Sequence, residues 1–294
     1  MAKYLIVNAD DYGMCNAANE AVNELFLGGW LKSATIMMPC PAAADAVEFS
    51  KAHPEYAIGV HTTLTSEWGK YRWKPLTDGK TLIDEEGFMW HESDQVEKNA
   101  SYEDIEKEVR AQIDLAHSMG MKPTHVDNHM GSLYGIETGR FELLQLTLTL
   151  AGEYGLPFRM PGHITDEMLG NSMLGINVDK SFIEGVFGKI TAFPAANGVA
   201  IPDYLIPNEW GGPQDESYEN FVEYVYDLYA NLPEGITETY MHPSLPTDDL
   251  KGTTGAWERR VWEYQILKDP KTRQHIEAHG IKLINYRDLA AMRK

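Results

Sequence analysis

Two adjacent carboxylates, Asp10 and Asp11, follow the apolar run Tyr4-Leu5-Ile6-Val7 and precede Tyr12-Gly13. Neighbouring carboxylates repel each other unless a cation or a shared proton relieves them. Taken alone, Asp-Asp-Tyr-Gly also suits a solvated turn. Further polar groups recur near the ends of later apolar runs: His61, then His125 with Asp127 and His129, then Arg159 and His242. Side chains alternate along a strand, so His125, Asp127 and His129 share one face, as do His61, Thr63 and Thr65. If the strand ends converge on one rim, a carboxylate and two imidazoles meet there from three strands. That donor set suits a catalytic divalent metal, with coordination positions left for water and substrate. A lone strand histidine is more often a hydrogen-bonded core residue, and Asp127 could simply orient an imidazole. The joint pattern carries the metal reading.

The elements that must position these groups alternate along the chain. Tyr4–Val7 is short and strand-like. Asn16–Leu27 has apolar residues at helical spacing and stops at Gly28-Gly29. Strands are expected at 34–38, 58–65, 124–129, 156–159, 201–205, 236–243 and 281–285. Helices are expected over 42–52, 102–119, 141–154, 218–230, 253–268 and 272–279, with a last helical segment at the end. This alternation predicts βαβ units and a parallel sheet, hence an α/β fold in a single domain spanning 1–294. Between Ser66 and Ala100 the pattern is lost among Trp68, Tyr71, Trp73, Phe88 and Trp90. We read that stretch as an ordered excursion over the active rim, because its aromatic content argues against disorder. Gly162–Gly198 has no clear pattern.

Composition narrows the partners. The chain has 294 residues, 43% hydrophobic and 23% charged, which is globular rather than disordered. A net charge of -19 argues against nucleic acid and against an anionic membrane surface, both of which need cationic patches. The two cysteines, Cys15 and Cys40, make neither a disulfide framework nor a structural zinc site. No apolar run reaches the roughly 7–15 residues of a secretory h-region or the ~18 of a membrane helix. A cytoplasmic protein is therefore expected, and the reading leaves a homodimer open.

Five stretches together resemble the motif series of the YdjC-like carbohydrate deacetylases, which include the chito-oligosaccharide deacetylases. They are Asn8-Ala9-Asp10-Asp11-Tyr12-Gly13, Ile58–Thr65, Thr124-His125-Val126-Asp127-Asn128-His129, Phe158-Arg159-Met160-Pro161 and Met241-His242-Pro243. The resemblance implies a distorted (β/α) barrel of about seven parallel strands, akin to polysaccharide deacetylases. It also implies one divalent metal ion, Mg2+ or Zn2+, and hydrolysis of an N-acetyl group on a small sugar such as a chito-oligosaccharide or an N-acetylglucosamine-type disaccharide, phosphorylated or not. By motif position Asp11, His61 and His125 are the metal ligands, Asp10 the general base, His242 the acid and Arg159 the group that steadies the base. Asp127, His129, Trp68 and Trp73 are read as substrate contacts, the indoles offering flat faces to sugar rings. A Lys70-x-Arg72-x-Lys74 run is a candidate phosphate grip. The competing readings are a metal-free glycosidase using a carboxylate pair, an amidohydrolase acting on a non-sugar acyl amide, and a non-enzymatic sugar-binding or regulatory protein.

Overall fold

The computed structural model describes residues 2–170 and 192–294. Seven strands form one all-parallel sheet: β1 (Lys3–Tyr12), β2 (Ser33–Ile36), β3 (Ala57–Thr62), β4 (Val126–Asn128), β5 (Tyr204–Leu205), β6 (Gly235–Met241) and β7 (Ile281–Ile284). Their order is β4-β3-β2-β1-β6-β5, with β7 also on β1. This is an open half-barrel. The helices around it are α1 (Asn16–Leu27), α2 (Ala43–Ala52), α3 (Ser93–Asn99), α4 (Tyr102–Ser118), α5 (Glu142–Tyr154), α6 (Asp166–Gly170), α7 (Ala192–Ala196), α8 (Tyr218–Ala230), α9 (Asp248–Thr253), α10 (Trp257–Lys268), α11 (Pro270–Ala278) and α12 (Tyr286–Met292).

β1 is the axis of the sheet. It pairs with β6 along Lys3–Ala9. Its other edge is shared, with β7 bonding Lys3–Ile6 and β2 bonding from Asn8 to Tyr12. A strand flanked this way is buried on both faces, which is why Leu5-Ile6-Val7 reads as a continuous apolar run. Sequence periodicity found the helices well where one face is apolar. α4 buries Ile105, Val109, Ile113 and Ala116 on the side facing the sheet, and its Ser101 hydroxyl caps the N-terminus by accepting from the Asp104 N–H at 3.2 Å.

The sequence overstates some strands. The expected strand at 156–159 reduces to a single bridge, Phe158 with Val126, and that at 201–205 to two residues. β4 ends at Asn128, and the chain turns at His129–Gly131 with Met130 left-handed. The aromatic excursion is ordered as expected but carries a capped helix, α3, that periodicity did not reveal. The expected helix over 253–268 begins only at Trp257, as α10, and the short α9 before it was not expected. Most of Gly162–Gly198 lies outside the described residues.

One close approach in the sheet is possible only at glycine. A Cβ at Gly59 on β3 would stand 2.4 Å from the His125 carbonyl oxygen and 2.7 Å from its Nδ1. The expected result of Gly59→Ala is a loss of roughly 1–3 kcal/mol, read as a lower urea midpoint at unchanged m-value.

Candidate active site

At the C-terminal ends of β1 and β4 the chain breaks regular strand geometry. Adjacent strand residues normally point to opposite faces. Here Asp11 is left-handed (φ 59°) and the β1–β2 register shifts between Ala9 and Tyr12. The extra residue is a bulge, a conformation that Asp tolerates better than most residues. Its effect is to send Asp10 and Asp11 into the same cavity.

Asp10 is held from below. Arg159 donates through Nη1 to Asp10 Oδ2 at 2.6 Å and through Nη2 to Oδ1 at 2.7 Å. The same guanidinium reaches Asp127 Oδ2 at 2.8 Å and, through Nε, Glu238 Oε1 at 2.8 Å. Asn8 adds an amide donor to Asp10 Oδ1 at 2.8 Å. His61 and Asp127 are register partners on β3 and β4, so their side chains share a face, with Nδ1 and Oδ1 2.6 Å apart. That contact fixes the ring and turns His61 Nε2 toward Asp11 Oδ1, 3.5 Å away. Asp11 Oδ2 accepts from Arg260 Nη2 at 2.8 Å, whereas buried Oδ1 makes no hydrogen bond of good geometry. His129 Nδ1 lies 3.3 Å from that oxygen, and its Nε2 is 3.0 Å from Glu67 Oε2.

Electrostatics follow from this crowding. Burial opposes charging of His61, but Asp127 and Asp10 outweigh it and push the ring up to about 10. Burial likewise opposes His129, and Glu67 and Asp11 raise it to about 9. Asp11 is desolvated too, yet Arg260 and the two imidazoles hold its carboxyl well below the usual carboxylate range. A field that draws protons onto both rings also favours a divalent cation between them.

One carboxylate oxygen and two ring nitrogens, from Asp11, His61 and His129, lie within 4.8 Å of one another. These residues fit a cation: Asp11 Oδ1 is an unpartnered buried acceptor, and His61 is oriented through its other nitrogen. A second set, Asp10, His61 and Asp127, is equally tight. It is the poorer donor set, because Arg159 already occupies both oxygens of Asp10 and one of Asp127, and His61 the other.

His125, expected among the ligands, is placed elsewhere. Its ring stacks on Tyr286 (centroids 3.8 Å apart, 8° between planes) over Gly59, and Nε2 meets Asn8 Oδ1 at 3.2 Å. Full burial pushes it down to about 3. His129 occupies the position expected for His125, because the turn after Asn128 brings its ring back over Asp11. Asp127 is fully buried and orients His61 instead of facing substrate.

The cavity above has a volume of about 480 Å³. Trp68, Trp210, Tyr240 and His242 wall it, and Glu67 and Trp68 are supplied by the aromatic excursion. Trp73 does not reach it; its indole N–H donates to the Thr65 carbonyl at 2.8 Å and its ring braces Trp68 (5.4 Å). Arg72 of the basic run is tied to Asp84 at 2.7 Å and Glu86 at 3.2 Å, and none of Lys70, Arg72 and Lys74 lines the cavity.

A sequence profile of the YdjC-like proteins matches residues 4–278. The chain belongs to the YdjC-like family. A carbohydrate deacetylase of Thermoanaerobacter pseudethanolicus is 27% identical over 287 residues, covering 97% of this chain and 98% of that protein. A chitooligosaccharide deacetylase of Yersinia enterocolitica is 28% identical, covering 98% and 100%. A crystal structure from Enterococcus faecalis V583, whose description proposes cellobiose-phosphate cleavage, superposes with a TM-score of 0.75 at 28% identity, covering 98% and 99%. Among the described residues of this YdjC-like protein, no helix is long and apolar enough to cross a membrane.

Sequence reasoning missed several site residues. Glu238 was available as a charged residue inside an apolar strand, which implies a buried partner. Glu67, Trp210, Arg260 and Glu263 sit in loops and on α10, where spacing carries no such signal.

His125 sets an expected pH response. Unfolded histidine titrates near 6.5, whereas this ring in the fold titrates near 3. Between those values the unfolded chain binds the extra proton, so stability falls as pH drops through the window. In His125→Gln the slope of unfolding free energy against pH should be shallower between about pH 6.5 and 3, measured by denaturant titration.

Proposed function

We propose that this protein is a cation-dependent hydrolase that removes the acetyl group from a small N-acetylated sugar. The observation that carries the reading is the convergence of Asp11, His61 and His129 beside Asp10, on the floor of an aromatic-walled cavity. The relatives named carbohydrate and chitooligosaccharide deacetylase support the substrate class. In this reading Asp11, His61 and His129 hold the cation. Two imidazoles with one carboxylate favour zinc over magnesium. Once bound, the cation supplies Lewis-acid polarisation of the acyl carbonyl and acidifies water.

The chain's own groups do the rest. Arg159 locks Asp10 with one oxygen beside the cation site, and Asp10 takes the proton from the attacking water. On the far wall His242 gives a proton to the sugar nitrogen as the carbon–nitrogen bond breaks, leaving acetate and the amine. Trp68, Trp210 and Tyr240 pack against the sugar faces, and Asn128, whose side-chain nitrogen has no partner, meets a hydroxyl.

An uncharged sugar suits this cavity better than a phosphorylated one. Among its described lining residues there is no lysine; Arg159 is held by three carboxylates, and Arg260 gives Nη2 to Asp11, so a phosphate would find only the buried Nε and Nη1 of Arg260. Two rival functions fit these residues less well. A metal-free glycosidase has no use for the Asp11–His61–His129 cluster, and a binding protein has none for Asp10 opposite His242.

Metal analysis separates the ligand sets. His61→Ala and His129→Ala should lose bound cation, while His125→Gln keeps it; retention by His129→Ala with loss from His125→Gln would reverse the assignment. Asp10→Asn should keep the cation and lose roughly 10²–10⁴-fold in turnover. Acetate release should be faster from N-acetylated disaccharides than from their 6-phosphates, from chitin or from non-sugar N-acyl amides.

A further inference from the structure

Behind His242 lies a buried carboxylate with no role in the scheme above. Glu263, on α10, is completely buried. Its Oε2 accepts the backbone N–H of His242 at 2.5 Å and stands 3.6 Å from the ring Nδ1. Its Oε1 accepts from Arg259 Nε at 3.3 Å, and Arg259 passes on to Asp215. His242 Nδ1 is itself buried without a hydrogen bond, 3.6 Å being too long for one. The rings of Trp210 (5.3 Å) and Tyr240 (5.8 Å) stand at right angles to the imidazole on its sides. The ring is thus walled by aromatics and backed by a carboxylate, and its edge meets the cavity.

We propose that Glu263 is the positioning residue of His242, keeping Nδ1–H turned toward its carboxylate and Nε2 toward the sugar nitrogen. A charged imidazole in this wall needs a counter-ion, since burying a charge without a partner is costly. Glu263 is the carboxylate in place to serve. Burial opposes its ionisation, but His242 and Arg259 outweigh that and hold its carboxyl below the usual range. The other charged groups toward His242 do not compete. Tyr240 is a phenol that burial keeps neutral, and Arg259 is committed to Glu263 and Asp215. Arg260, which shares the Trp210 ring with His242, is bonded to Asp11, and Asp10 to Arg159. As the carbon–nitrogen bond breaks, the Nε2 proton moves to the leaving nitrogen. The ring becomes neutral with its remaining proton on Nδ1, still facing the Glu263 carboxylate.

This inference rests on His242 being the acid, and the experiment separates the two claims. ¹⁵N NMR of the histidine rings in the cation-loaded wild type reads the tautomer of neutral His242. Nδ1–H is expected, and Nε2–H overturns the proposal whatever the variants do. Glu263→Gln should lower kcat by roughly 10- to 100-fold at unchanged KM, with Glu263→Asp recovering part of it. The loss should shrink on an acetyl ester, whose leaving oxygen needs the acid less. In a His242→Ala background Glu263→Gln should cost nothing further; an equal loss there, or the same loss on the ester, marks a merely structural residue and overturns the proposal. Full amide activity in His242→Ala would instead remove the acid role while the wild-type tautomer still reports on Glu263. If Glu263→Gln does not fold, the tautomer measurement decides alone.

Discussion

The site depends on one buried cation. Arg159 stands among Asp10, Asp127 and Glu238, contributed by β1, β4 and β6, and all four groups are nearly or fully buried. Three carboxylates this close would repel one another strongly in a low-dielectric interior. The guanidinium suits the task because its planar fork serves several oxygens at once. Order propagates from it upward. Two N–H groups orient Asp10, a third contact orients Asp127, Asp127 orients His61, and His61 faces Asp11. The remaining excess of negative charge is directed to the cavity side, where the rings of His61 and His129 meet it. Loss of one member of such a buried set is costly, on the order of 3–5 kcal/mol, because the partners are left uncompensated.

Much of this was legible from residue types alone. The alternation of apolar runs and helical patterns pointed to the parallel sheet, since a strand buried on both faces has little freedom in composition. Asp10, Asp11, His61, Arg159 and His242 were placed at strand ends, and the structure brings them around one cavity. The reading went astray where local geometry left the ideal. Period-two alternation put His125, Asp127 and His129 on one face but could not say which histidine stands at the right height. β4 stops at Asn128, so the turn lifts His129 to the rim, and His125 stays below as the hydrogen-bonded core histidine that base expectation favours. The bulge at Asp11 was likewise invisible, because nothing in Asp-Asp-Tyr-Gly announces a left-handed first turn residue. Trp73 was taken for a sugar contact by its neighbourhood, but the excursion folds back on itself and buries that indole behind Trp68.

The placement of β7 has a consequence for how the chain matures. The first half of one edge of β1 is completed only by Ile281–Ile284, and the next element carries Tyr286, whose hydroxyl donates to Glu238 and whose ring covers His125. Part of one edge of β1 therefore stays unpaired until β7, from far along the chain, docks on it. Asp10 and Asp11 sit on that same strand, so their surroundings are complete only once this distant pairing has formed. Without β7 that edge is open and apolar, and such edges are where chains pair with the wrong neighbour. β1 and β7 thus act as a clasp, and the chemistry depends on its closing.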